Sequence, residues 1–134
     1  MVLMEWTPTF SVDIKIIDLQ HQKLFGYVNT LYDALTERKE REILTQLFND
    51  LEGYTQTHFK FEEVYFDKFN FIGKDAHVLQ HEEFIKKLAL MKKQILEGSR
   101  DVEDLLDFLM NWLIHHIKGT DREYIICFHE HGMH

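Results

Sequence analysis

The chain has 134 residues and a formal net charge of -8, from 15 basic and 23 acidic side chains. This acidic balance argues against binding to nucleic acids or anionic membranes, because both partners need a basic surface. The length suits a single domain over residues 1–134, and one proline and six glycines are too few for a barrel with many tight turns. No apolar run approaches the ~18 residues of a transmembrane helix, so no membrane insertion is expected.

Two sequence features indicate the cellular location of the protein: the N-terminal segment Met1–Phe10 and the one cysteine. The segment has no basic start and no long apolar stretch, so we expect no signal peptide. Cys127 has no second cysteine with which to form an intrachain disulfide, and this fits a reducing compartment. Together these features predict a cytoplasmic protein.

Periodic apolar residues define the helices. Pro8 limits helix formation in the first ten residues, which are expected to form an extended arm. From about Asp13 onward, apolar residues recur at three- and four-residue steps, the spacing typical of amphipathic helices. Charged or turn-forming segments interrupt this pattern three times. The predicted helices cover approximately residues 13–37, 42–69, 75–97 and 102–118.

The connections between these helices are short, and short connections make sequential helices antiparallel neighbours. We therefore predict an all-α fold, an up-down-up-down antiparallel four-helix bundle with an N-terminal extended arm. A short C-terminal helix is expected from the apolar segment 124–128, whereas the polar end 129–134 is expected to fray.

Ionisable side chains occupy the apolar seam of every predicted helix, although the centre of a bundle excludes water. A buried ionisable group without a partner costs several kcal/mol, against a whole folding stability of about 5–15 kcal/mol. These groups therefore need to satisfy one another, and a bound metal is an efficient way to do so. The seam residues are His21, His58, Glu62, His77, His81 and His116.

The spacing of these residues supports a shared site. His58 and Glu62, and likewise His77 and His81, are four residues apart, so each pair lies on one helix face. Distance from the turns is a stronger test, because antiparallel positions equally far from a turn lie at one level. The first and third turns each have seam residues about 18 positions away on both sides. An offset of ~7–8 Å remains across the second turn, which loop geometry could absorb.

Asp121 follows His116 by five residues, and in a regular helix these two side chains diverge by ~140°. They could meet if the helix widens or breaks at the intervening Gly119. Alternatively, Asp121 caps the short helix that follows. The spacing alone leaves both interpretations open. The adjacent His115 continues a more mixed helix face than His116, so we expect it to lie outside the site.

With Asp121 included, the candidate site offers five imidazoles and two carboxylates. This donor set suits iron, manganese, zinc or copper, and it is too large for one tetrahedral zinc. Two octahedral irons bridged by both carboxylates and an oxide or hydroxide would keep one coordination position open, where a small diatomic molecule could bind.

The ligand types also distinguish this site from ferritin-like sites, which are rich in carboxylates and carry Glu-x-x-His motifs. The sequence has no Glu-x-x-His motif. A histidine-rich site donates less negative charge and stabilises high-valent oxidants less, which favours binding of O2 over its activation. No spare acid or base stands out near the site in the seams.

The same residues resemble the hemerythrin family, in particular its single-domain bacterial members. The resemblance covers nearly the whole chain and would make residues 1–134 one hemerythrin-like domain. It rests on Ile17, Asp18, His21 and Gln22, followed by His58-x-x-x-Glu62, His77-x-x-x-His81 and His116-Ile117-x-x-x-Asp121.

The resemblance implies an oxo- or hydroxo-bridged centre of two iron ions with O2 as its ligand. The implied ligands are His77, His81 and His116 for one iron, His21 and His58 for the five-coordinate iron that binds O2, and Glu62 and Asp121 as bridges. The implied pocket wall consists of Phe25, Phe59, Trp112, Leu113 and Leu24, although core packing alone explains any one of them. Asp18 and Gln22 are candidate partners of a ligand imidazole, and an exposed acid in a first helical turn is the more ordinary interpretation of Asp18.

These implications favour a monomeric carrier, store or sensor input for O2 rather than an enzyme, with an unidentified protein acceptor as a further partner. The alternative is an enzyme on the same site, such as a peroxidase, an oxidase or a protein that reduces nitric oxide. A third interpretation is iron handling, in which the metal is cargo.

Overall fold

The computed structural model describes residues 3–134. Four long helices and a short C-terminal one confirm the predicted all-α fold. Their bounds are α1 Lys15–Thr36, α2 Glu40–Lys68, α3 Lys74–Leu96, α4 Val102–Lys118 and α5 Ile125–Glu130. Two 3-10 turns, Pro8–Phe10 and Thr120–Tyr124, precede α1 and α5 respectively. Within the described part of the chain, no helix is both long and apolar enough to cross a membrane.

The three turns between the long helices begin in the same way. A residue in the left-handed conformation follows each helix: Arg38 at φ 58°, Asn70 at φ 51° and Gly98 at φ 82°. The N–H of the next residue then donates to the carbonyl five positions earlier, at 2.7–2.9 Å. This arrangement satisfies carbonyls that a helix end would otherwise expose, and it reverses the chain within a few residues.

The long helices form a closed ring, in which α1 and α3 each lie beside α2 and α4. Inside the ring, two apolar clusters are separated by a polar layer. Along α1, for example, Ile17 belongs to the smaller cluster, His21 to the polar layer and Leu24 to the larger cluster. The candidate site is therefore sealed from solvent above and below by hydrophobic packing.

The N-terminal arm closes one side of this layer. The Met4 N–H donates to Asn29 Oδ1 at 2.8 Å, and the Asn29 amide donates back to the Met4 carbonyl at 2.9 Å. Phe10 packs edge-on against Phe25, with ring centroids 4.9 Å apart. The arm thus adds an aromatic cover to α1 beside the polar layer.

The C-terminal residues 129–134 do not fray, and the expectation that they would is wrong. Phe128 is buried in the smaller cluster, and the His131 ring stacks on Phe69 at 4.5 Å. His129 Nε2 donates to the carbonyl of Asp13 at 2.8 Å. The sequence suggested a polar tail, but α5 places these imidazoles against aromatic rings and a free carbonyl of the same chain.

The helix break at Gly119 determines where the chain goes after α4. A Cβ at this position would lie 2.9 Å from the His115 carbonyl oxygen, which is closer than real Cβ atoms come. Only glycine therefore fits here without a shift of the backbone. The break directs the chain into the Thr120–Tyr124 turn, which carries Asp121.

We expect Gly119→Ala to destabilise the protein by about 1–3 kcal/mol, because the added methyl forces the backbone apart where the helix breaks. The matched control is Gly26→Ala in the middle of α1, where an added Cβ meets nothing within 4 Å. That substitution should stabilise the helix by about 0.5–1 kcal/mol. Denaturant unfolding of both metal-free variants measures the difference, and equal effects would contradict the steric argument.

Candidate metal centre

The polar layer brings together all seven side chains that the sequence singled out. Each of them is between 0% and 4% exposed, so the layer is shielded from bulk water. The seven residues are His21, His58, Glu62, His77, His81, His116 and Asp121.

Asp121 lies at the centre of the layer. Its Oδ1 is 3.0 Å from Nε2 of both His77 and His116, and its Oδ2 is 3.1 Å from Nε2 of His21. A side chain from the turn after α4 therefore contacts imidazoles of α1, α3 and α4. Of the two interpretations of Asp121, the structure supports a helix break that brings it to His116.

Glu62 makes the corresponding contacts from α2. Its Oε1 is 3.2 Å from Nε2 of His81 and 3.4 Å from Nε2 of His58. The offset expected across the second turn becomes smaller when positions are counted from the helix ends. Glu62 lies six residues before Lys68, the end of α2, and His81 lies seven residues after Lys74, the start of α3, so these two residues are at one level.

The donor atoms form two groups that share both carboxylates. Within each group, one possible ligand atom per residue lies within 4.8 Å of all the others. The first group is Glu62, His77, His81, His116 and Asp121, and the second is His21, His58, Glu62 and Asp121. Two neighbouring cations could thus be held with Glu62 and Asp121 between them.

Three imidazoles are held from behind by hydrogen bonds at Nδ1. His58 donates to Gln20 Oε1 at 2.5 Å, and His81 donates to Glu63 Oε2 at 2.8 Å. A third bond of this kind joins His116 to Gln80 Oε1 at 2.9 Å. A proton on Nδ1 leaves the lone pair of Nε2 directed into the layer, which is the tautomer that a metal needs.

These three acceptors were not predicted from the sequence, which suggested Asp18 and Gln22 instead. Asp18 accepts from the Ser11 hydroxyl at 2.6 Å and from the Val12 N–H at 2.9 Å, so it anchors the arm. Gln22 is exposed. The true acceptors reach across to a different helix, and the periodicity within one helix carries no signal of such a bond.

Tyr124 is a further residue that sequence reasoning missed. It is fully buried, and its hydroxyl donates to Glu62 Oε2 at 2.6 Å. Because Glu62 Oε1 is directed at the imidazoles, this bond fixes the second oxygen and with it the plane of the carboxylate. The sequence placed Tyr124 only in a short apolar tail.

Aromatic rings fix the orientation of two imidazoles. Phe59 stacks on His81 with centroids 3.7 Å apart and an interplanar angle of 2°. Trp112 stacks on His116 at 4.1 Å and 16°. Both were expected in a pocket wall, and both are packed against the layer. His115, in contrast, is exposed and donates from Nδ1 to the Asn111 carbonyl at 2.6 Å, outside the layer as expected.

The burial of the layer and the charges within it determine the protonation of its histidines and of Asp121. Burial, which penalises the charged form, lowers the pKa of His58 to about 4 and that of His81 to about 3. Burial acts in the same direction on His116, but the carboxylate of Asp121 outweighs it and raises the pKa of that imidazole. The pKa of Asp121 lies well below its usual value, because His116 and the other imidazoles overcome the effect of its burial. His58 and His81 are therefore neutral near pH 7, as metal ligands must be.

The residues fit a metal because their inward atoms have no other partner. Among residues 3–134, buried atoms without a hydrogen bond include Nε2 of four of the site histidines, Glu62 Oε1 and both carboxylate oxygens of Asp121. Unsatisfied buried polar groups are rare in folded proteins, and here they converge on one volume. A cluster of imidazoles and carboxylates without thiolates suits iron, manganese, zinc or copper.

Fold and site together define a four-helix bundle with a buried histidine–carboxylate cluster able to bind metal. The hemerythrin HHE cation binding domain family matches residues 12–125. The chain therefore belongs to the hemerythrin family, whose domain is described as cation-binding.

Similar proteins span nearly the same length. The bacteriohemerythrin of Methylococcus capsulatus is 33% identical over 129 residues, covering 95% of this chain and 98% of that protein. The bacteriohemerythrin of Stenotrophomonas maltophilia is 31% identical over 124 residues, covering 92% and 80% respectively. A crystal structure of wild-type hemerythrin, 31% identical, matches with a TM-score of 0.85 over 93% of this chain and 97% of that one.

We expect the metal-free protein to lose stability as the pH falls from about 6.5 toward 4. In this window unfolded histidines bind protons, whereas His58 and His81 in the folded protein do not. Each contributes up to about 1.4 kcal/mol per pH unit. His116 has the opposite effect at higher pH. Because its pKa is raised, the stability that its protonated form contributes is lost as the pH rises. Denaturant unfolding between pH 7 and 5 measures the slope, and a flat profile would contradict neutral burial.

We expect Glu63→Gln to weaken metal binding about 10–100-fold, because the anionic acceptor that orients His81 is lost. Competition against a chromophoric chelator measures the affinity. Glu83→Gln is the matched control, because it removes the same charge at an exposed position on α3. Equal affinities for the two variants would show that Glu63 does not orient a ligand.

Proposed function

We propose that this protein holds two iron ions in the polar layer and uses them to bind O2 reversibly. The observation that carries the proposal is the pair of ligand groups that share Glu62 and Asp121. Five imidazoles with two bridging carboxylates match the coordination of a metal pair better than that of one ion. The names of the similar proteins, bacteriohemerythrin and hemerythrin, support the same conclusion.

The two groups suggest unequal roles for the two irons. One iron would take three imidazoles, from His77, His81 and His116, and the other would take only His21 and His58. The iron with fewer protein ligands keeps a position free, so we assign O2 binding to the His21–His58 side. When bound, the two irons would supply the electrons that O2 needs to bind reversibly.

The residues around His21 and His58 keep this side dry. The Trp6 ring lies 6.5 Å from the His21 ring, and Phe59 lies 5.9 Å from His58. Phe25, which packs against Trp6 at 5.3 Å, completes an apolar wall between the site and the arm. Such a wall admits a small apolar molecule and disfavours water and charged oxidants, which supports retention of O2 rather than its consumption.

An anaerobic optical titration with an iron count tests the proposal. The purified protein is reduced, its spectrum is recorded, O2 is added and then removed. Two irons per chain and a visible charge-transfer band that appears and disappears with O2 are the expected result. A band that decays irreversibly would indicate turnover by an enzyme instead, and metal that a chelator removes quickly would indicate iron handling.

We expect Glu62→Ala to lose at least one iron and to destabilise the loaded protein, because the imidazoles lose a shared anionic partner. Metal analysis and the optical spectrum measure both effects. His115→Ala is the control, since His115 lies outside the layer, and it should retain two irons and the spectrum. Retention of two irons by Glu62→Ala would contradict the bridging assignment.

A further inference from the structure

A shallow groove runs along the outer surface between α1 and α2, at the level of the polar layer. Its volume is about 390 Å³, and its lining is mostly apolar. The lining residues are Gln20, Thr57, Lys60, Phe61, Val64 and Tyr65. Exposed aliphatic side chains lie on it or on the adjoining turns of α1: Val64 is 49% exposed, Ile16 48% and Leu19 64%.

Lysines surround this groove although the whole chain carries a net charge of -8. Lys60 lines it, Lys23 reaches from α1 over the Tyr54 ring of α2 at 4.5 Å, and Lys68 lies over the Tyr65 ring at 5.6 Å. All three are exposed, and none forms an ion pair within the part of the chain that the structure describes. We call Lys23, Lys60 and Lys68 the lysine rim.

The nearby carboxylates are engaged elsewhere. Asp18 is bonded to the arm, Glu63 accepts from His81 on the α3 side, and Asp67 pairs with Lys74 of α3. The contacts of these three carboxylates thus lie away from the groove, and the charged side chains at its edge are the three lysines. An acidic partner would be attracted to the lysine rim, whereas the rest of this acidic surface would repel it.

The lining of the groove is connected to the site by one hydrogen-bonded side chain. Gln20 lines the groove, and its Oε1 accepts from His58 Nδ1 at 2.5 Å. A partner seated in the groove would thus lie one glutamine away from an imidazole of the polar layer. A continuous path of bonds and hydrogen bonds carries electrons better than the same distance through empty space.

We propose that the lysine-rimmed groove docks a small acidic electron-carrier protein, which delivers electrons through Gln20 and His58. This inference rests on the proposed function, because it needs irons that become oxidised and must be restored. Each docking event would transfer one electron, so that one carrier molecule is oxidised and one ferric ion is reduced to ferrous. Two such transfers would restore the ferrous pair, and an oxide bridge would take up one proton from solvent to become hydroxide.

The groove fits a protein better than a membrane. Electron-transfer encounters use small interfaces, with an apolar centre and a charged rim that steers association. Binding to anionic lipid instead uses clusters of four to eight basic residues, and the lysine rim has three.

The test uses a reduced, acidic plant-type ferredoxin as the probe and the iron-loaded protein. Binding is measured by calorimetry, and reduction of the oxidised protein by stopped-flow spectroscopy. The double variant Lys23→Glu/Lys60→Glu should weaken binding and slow reduction at least ten-fold at low ionic strength. Added salt should weaken wild-type binding toward the level of the variant.

The matched control is Lys86→Glu/Lys87→Glu, which makes the same charge change on the exposed face of α3. It should stay within two-fold of wild type in both measurements. Circular dichroism checks that both double variants remain folded. Equal losses in the two variants, or no loss in either, would overturn the proposal. Binding to vesicles with anionic lipid that depends on the lysine rim, without binding of ferredoxin, would also overturn it.

The binding measurement separates this inference from the proposed function. If the protein fails to bind O2 but ferredoxin still docks at the lysine rim and reduces the metal, the docking surface stands and the proposed function fails. If O2 binds reversibly but the lysine rim has no effect on ferredoxin, the proposed function stands and the docking surface fails.

Discussion

The structure depends on the placement of two carboxylates among five imidazoles in a layer without water. The Asp121 carboxylate contacts three imidazoles, one each from α1, α3 and α4, and the Glu62 carboxylate contacts the other two imidazoles. Such a layer is unfavourable unless opposite charges, and finally a metal, compensate the loss of hydration. The two apolar clusters on either side keep water out, so the same packing that stabilises the bundle strengthens the electrostatics of the site.

The surroundings of the layer make its geometry specific. Hydrogen bonds that three imidazoles donate across helices to Gln20, Glu63 and Gln80 fix the tautomers, and stacked rings fix the planes of His81 and His116. Two of these supports, Gln20 and Gln80, also line open surface grooves. The site is therefore almost completely buried, yet it reaches the surface through these two glutamines and through His116, which lines the groove beside Gln80. This combination is compatible with the proposed metal pair and with the proposed electron transfer to it.

The helices and the composition of the site could be predicted from the sequence, because both are local periodic properties. A three- and four-residue repeat of apolar side chains defines a helix face wherever that face packs. Ionisable residues on such a face must meet partners in the interior, so His21, His58 and His116 could be identified without knowledge of the fold. Their distances from the short turns even indicated a common level.

The tertiary structure decided everything that depends on the angle between helices. The bonds from His58 to Gln20, from His81 to Glu63 and from Tyr124 to Glu62 join residues 38, 18 and 62 positions apart, and no spacing rule specifies such pairs. The position of Asp121 required an actual break in α4, which the sequence permitted but did not require. Sequence periodicity thus determined which side chains enter the interior, and helix packing determined which atoms face one another there, because contact between helices depends on their relative rotation and depth.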